Sequence, residues 1–169
     1  MKRLTVAVKY FSAALLPLVI LMFLPLRPAI IGRFGEGVVL RASPADPADV
    51  FRGEYVALTF DIATLEPEVF GGDVQEAVRG STWHVALSPD GSGVWQASRA
   101  FREVPSGAYI TGNVKKSSQS AVTMDYGTAM SRIYVAEGMG RTLESSGTIL
   151  VKVSLLHGSA VILSAEGTE

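Results

Sequence analysis

Hydrophobic positions follow two different patterns along this chain. From Tyr10 to Leu26 the run YFSAALLPLVILMFLPL contains no charge and no polar stripe. As a helix it reaches about 25 Å, slightly short of the roughly 30 Å hydrocarbon core of a bilayer. Val6 to Val8 extend it, because the long stems of Lys9 and Arg27 can carry their charges to the interface. From Phe34 onward short apolar runs are separated by glycine, proline, serine and aspartate. Trp83, Val85 and Leu87 alternate with His84 and Ala86, the period-2 signature of a half-buried strand. The turn SPDGSG follows, then a second leg over Val94 to Phe101. Val38 to Leu40, Ala108 to Val114, Ala121 to Tyr126, Arg132 to Ala136, Thr148 to Leu155 and Ala160 to Leu163 repeat the strand pattern, and the polar KKSSQS joins one pair. Strands at this spacing predict a mainly β fold, a small antiparallel sandwich or barrel-like domain over 36–166. Ala63 to Gly80 is the least regular stretch, with one helical turn expected at VQEAV.

The segment DPADVFRGEYVALTF at 46–60 is the most tightly specified corner. Asp46 has the chemistry of an N-cap, Pro47 suits the first helical position, and Asp49 lies where the backbone dipole favours an anion. Gly53 can take the left-handed conformation that ends such a turn. A strand then begins, with Val56, Leu58 and Phe60 on one face and Tyr55, Ala57 and Thr59 on the other.

Charge and leader chemistry decide what the apolar run is for. A cleaved signal needs a small-x-small site, and RPAIIGRFGEG offers no good one, so the run is expected to stay as an anchor. A buried core helix is the other alternative, disfavoured by the flanking charges and by Pro17. The expected organisation is a cytoplasmic tail over 1–9, a single transmembrane helix over 10–31 and an extracytoplasmic domain. Lys2, Arg3 and Lys9 before the span outnumber Arg27 and Arg33 after it, which orients the N-terminus toward the cytoplasm. Eleven of the 15 cationic and all 16 anionic residues lie beyond Arg27, a net charge of −5, which argues against nucleic acid as a partner. The absence of cysteine removes disulfides, thiolate metal sites and a lipid-modified start.

GEYVALTF resembles the motif that names the GDYXXLXY family of membrane-anchored proteins. Gly53, Tyr55 and Leu58 match; Glu54 stands for the usual aspartate and Phe60 for the final tyrosine, without its hydroxyl. A second block, YGTAMSRIYVAEGMG, is similar to the family's tyrosine-glycine, aromatic-valine and glutamate-glycine pattern through Tyr134, Glu137, Gly138 and Gly140. The resemblance implies a single N-terminal helix, a membrane location and company with multi-pass membrane proteins. It implies no chemistry, so these nine positions are candidates for a structural or binding role.

The remaining residues offer little catalysis. His84 and His157 fall on different expected strands and read as unconnected, and no zinc ligand set, P-loop or dinucleotide fingerprint is present. Ser43 with Lys152 is the one hydrolytic pairing with physical content, a serine just outside the bilayer and a lysine base. Alternation, however, turns Lys152 outward with Leu150 and Ser154. The expected function is therefore a membrane-anchored accessory or interaction domain without catalytic activity or cofactor. Its partners are the bilayer and a multi-pass membrane protein, with a contact patch around Trp83, Trp95 and Tyr109. The alternative is an extracytoplasmic barrel that binds or hydrolyses a small molecule or peptide, with a pocket lined by Tyr55, Tyr109 and Tyr126.

Overall fold

The computed structural model describes residues 25–45, 55–134 and 147–168, together with the single positions Leu15, Pro17, Val19, Leu21, Phe23 and Leu143. Helix α1 (Leu26–Phe34) ends at Gly35, whose N–H donates to the Ile31 carbonyl at 2.9 Å. No linker follows. Strand β1 (Glu36–Pro44) starts at the next residue, burying Val38, Leu40 and Ala42 at alternate positions.

Strand β1 organises the sheet because it is paired on both sides. Along one edge it runs antiparallel to β9 (Thr148–Leu156), from Glu36 opposite Leu155 to Ala42 opposite Ile149. Along the other it meets β2 (Tyr55–Phe60) antiparallel at its end, and β5 (Trp95–Phe101) through the parallel pairing of Leu40 with Trp95. The remaining strands are β3 (Thr64–Leu65), β4 (Thr82–Pro89), β6 (Tyr109–Ser117), β7 (Val122–Asp125), β8 (Arg132–Tyr134) and β10 (Ser159–Thr168). Their order is β10-β9-β1-β5-β4-β6-β7-β3, with β2 and β8 branching from β1.

The mainly β expectation holds. Of the two expected arrangements, a sandwich or a barrel-like domain, the second is nearer: there is one sheet, curled into an open half-barrel, and it is not wholly antiparallel, since it contains a parallel pairing. Curling brings the turn between β9 and β10 against β6, where the Thr111 N–H donates to the Gly158 carbonyl at 2.8 Å. That contact replaces the second sheet of a sandwich, since the concave face folds over its own side chains. Trp83, Val85, Ile110, Val114, Val122, Ile149, Val151 and Val153 fill the interior with almost no exposure.

The irregular stretch is also more regular than VQEAV suggested. Pro67–Glu76 forms 3-10 turns broken at Gly71, where φ is 60°. The stretch inserts Phe70 edge-on against Trp83, with ring centroids 5.0 Å apart. Among the described residues no helix is long and apolar enough to cross a membrane; the expected span over 10–31 is described only from Pro25 onward and at single positions before it. The helical turn expected at 46–53 lies outside the described residues.

Strand β9 carries one break in its alternation. Lys152 is exposed, as its outward register predicts, but Ser154 on the same face is buried. Helix α1 covers it, and the Ser154 hydroxyl donates to the Ile31 carbonyl at 2.6 Å.

Candidate functional site

The two motif blocks, distant in sequence, lie side by side. Strand β2 carries the first and β8 the second. Tyr55 is the register partner of Tyr134, Val56 of Ile133 and Ala57 of Arg132. The Leu58 N–H extends the ladder to the Ser131 carbonyl at 3.0 Å. Leu58 and Phe60 are core residues, and Phe60 sits opposite Ala42 of β1. A phenyl ring therefore serves at 60, where a tyrosine hydroxyl is the family's usual ending. Tyr134 is 76% exposed. Gly53, Glu54, Glu137, Gly138 and Gly140, and the side chain of Tyr55, lie outside the described residues.

The tyrosine-glycine that opens the second block has a structural cause. The Tyr126 ring lies over Gly112 of β6, where a Cβ would stand 2.7 Å from Cδ1 and 2.8 Å from Cε1. Its hydroxyl donates to the Ile62 carbonyl at 2.7 Å, and desolvation raises its pKa well above the ordinary tyrosine value. Gly127 follows at φ 86°, a left-handed conformation that a side chain disfavours.

Next to Tyr126 the half-barrel fails to close. The seam between β10, β6 and the 3-10 turn Thr128–Met130 leaves an open cleft of about 730 Å³. Arg27, His84, Thr111, Tyr126, Thr128, His157 and Ser159 contribute its polar lining, and among the described residues no carboxylate lines it. Arg27 Nη2 donates to the Ser159 hydroxyl at 3.1 Å, and His84 Nδ1 is 2.9 Å from the Thr111 hydroxyl. The Tyr109 ring meets His84 edge-on at 5.7 Å between centroids. His157 and Gly158 form the two-residue turn between β9 and β10, with φ of 48° and 74°. Both residues being left-handed is the type I′ hairpin geometry, in which asparagine usually precedes glycine. Gly158 is also required sterically, since a Cβ there would collide with the Thr111 hydroxyl and stand 2.7 Å from Tyr109 Cε2.

The profile of the GDYXXLXY protein family matches residues 17–164, which spans both blocks, the intervening strands and the seam. The chain belongs to the GDYXXLXY family. Neither the curated proteins nor the solved structures contain a match to it.

The cleft corrects two expectations about this GDYXXLXY protein. The histidines read as unconnected both line it, because the curl brings the β9–β10 turn beside β4 and β6. Of Tyr55, Tyr109 and Tyr126, named together as pocket residues, only Tyr126 lines the cleft; Tyr109 packs edge-on against His84, the Tyr55 side chain lies outside the described residues, and Arg27, Thr111 and Ser159 were missed. Only the basic residue at the exit of the apolar run signalled any of the three.

Other expectations are not brought together. Trp83 is fully buried, donates from its indole to the Ser81 hydroxyl at 3.0 Å and is roofed by the Arg102 guanidinium, so it offers no contact patch with Trp95 and Tyr109. Ser43 pairs with Thr59, whereas Lys152 pairs with Val39, four residues away along β1 and so roughly 13 Å distant. Both side chains are exposed. Among the described residues no three His, Asp or Glu gather as a metal site.

Proposed function

We propose that this GDYXXLXY protein is a membrane-anchored accessory domain, with its N-terminal apolar segment in the bilayer and its β head held at the extracytoplasmic surface. The partner chemistry it suits is another membrane protein, a multi-pass one in particular. One observation carries the reading: Leu15, Val19, Leu21, Phe23, Leu26 and Ile30 are all large, apolar and exposed, and they lead into a helix fixed to the head without a linker. Such a surface in water is unfavourable and needs lipid or protein around it. The Ser154–Ile31 hydrogen bond supports a head whose position follows the helix rather than swinging on a tether.

Alkaline carbonate extraction of native membranes tests the anchor, and a C-terminal reporter active on only one side tests the orientation. Retention in the pellet with an extracytoplasmic reporter, together with specific co-purification of a membrane protein from mild detergent, is the expected result. Release by carbonate, a cytoplasmic reporter or recovery of non-specific neighbours alone would overturn it. A second reading, a head that binds a small molecule, is favoured by the seam cleft.

A further inference from the structure

The seam cleft has a neighbour. Arg27, His157 and Ser159 also line an adjoining groove of about 430 Å³, whose other walls are Phe23, Leu26, Ile30, Ile31 and Leu156. A cationic, hydroxyl-bearing cleft thus opens directly onto an apolar trough between the helix and the β9–β10 turn.

We infer that these two cavities form one site for a phosphate-bearing amphiphile, an anionic phospholipid whose phosphoryl group enters the seam and whose acyl chain lies along α1. The polar half matches a tetrahedral oxyanion in three ways. A guanidinium offers paired donors that suit phosphate oxygens, and Arg27 is held in place through Ser159. Imidazole nitrogens of His84 and His157 and the hydroxyls of Thr111 and Ser159 add donors from four different strands and turns, so several oxygens can be met at once. Among the described residues no carboxylate lines the cleft, although the part of the chain beyond Arg27 carries a net charge of −5. An anion is repelled by most of this head and accepted at this place.

The apolar half explains why the ligand is an amphiphile rather than a free anion. Leu156 and Ile31 supply its floor, and Phe23, Leu26 and Ile30 its helical wall. His157 stands at the junction, occupying a turn position where asparagine would serve the backbone equally well. The imidazole is thus not required by the fold.

The lipid identity rests on the anchored reading; the phosphoryl site does not. The test uses the full chain in phosphatidylcholine nanodiscs, with the ring resonances of its two histidines as the readout. Phosphatidic acid is introduced at increasing fraction in one arm, and inorganic phosphate is added in the other. Saturable shifts at His84 and His157 are expected in both arms, at an effective phosphate concentration about tenfold lower for the lipid. Arg27→Gln should weaken both responses by about tenfold, the loss of a charge-assisted hydrogen bond. His157→Asn, read at the remaining His84 ring, should weaken the response in both arms while leaving the melting temperature unchanged, and Lys152→Gln, which removes a charge elsewhere, should change neither. No saturable shift in either arm, or responses identical in Arg27→Gln, would overturn the site; equal response to both probes would overturn the amphiphile. Failure of the chain to enter nanodiscs at all would instead count against the anchor.

Discussion

Ser154 of β9 donates its buried hydroxyl to the carbonyl of Ile31, which also accepts the N–H of Gly35, so one oxygen joins the end of helix α1 to the sheet. Gly35 has no room for a side chain: a Cβ there would stand 2.6 Å from the Ile31 carbonyl oxygen and 2.7 Å from that of Leu155. Backbone atoms cannot turn aside as a flexible side chain can. Ser154→Ala should therefore cost about 1 kcal/mol, because Ile31 keeps its second donor. Gly35→Ala should cost about 2 kcal/mol or more through overpacking. Chemical unfolding of the full chain in detergent measures both, and an equal loss in the two variants would show that the helix exit is less tightly fixed than described.

The Tyr126–Gly112 contact predicts a second pair of effects. Tyr126→Phe keeps the ring over Gly112 and removes only the hydrogen bond to the Ile62 carbonyl, a loss of about 1 kcal/mol. Gly112→Ala forces the ring itself to move and should cost about 1–3 kcal/mol. Because both act on one ring, the double variant should lose less than the sum of the singles. Strict additivity in denaturant midpoints would separate the two residues.

Period-2 alternation made the strands of this chain legible one by one. Trp83, Val85 and Leu87 point inward as their spacing predicts, and so do Val56, Leu58 and Phe60. What lies between strands was not legible. His84 and His157 meet at one cleft only because the sheet curls, and curl accumulates from twist over many strands rather than from any local pattern. The parallel contact of Leu40 with Trp95 has the same origin, since hairpin spacing alone predicts antiparallel neighbours. Ser154 illustrates the converse: its outward register was readable, but the helix that covers it comes from the opposite end of the chain.

Pairing of the two family blocks can be tested covalently. Ala57 and Arg132 are register partners on β2 and β8, with Cβ atoms expected about 4.5–5.5 Å apart, near disulfide range. The chain contains no cysteine, so an Ala57→Cys, Arg132→Cys variant has no background thiol. Mild oxidation should produce a monomeric species of increased mobility on non-reducing gels, absent from either single variant. Only intermolecular products would mean that the blocks are not adjacent in the folded protein.

Asp90 sets the pH dependence of the β4–β5 turn. Its carboxylate accepts the Ser92 hydroxyl at 2.6 Å, the Ser92 N–H at 2.8 Å, the Val94 N–H at 3.1 Å and the Gln96 amide at 3.0 Å. These bonds, the Ser92 hydroxyl foremost, hold its pKa below the usual carboxylate value. The charged form is thus favoured in the folded turn. Its stabilising contribution is complete above the unfolded carboxylate range and disappears as pH falls through the lower folded value. Titration of the Asp90 side-chain carbon by NMR should show a midpoint below that of the unfolded chain. Asp90→Asn retains an acceptor oxygen and should remove this component of acid sensitivity without opening the hairpin. A folded midpoint at or above the unfolded one would mean that the four donors do not act on the carboxylate in solution.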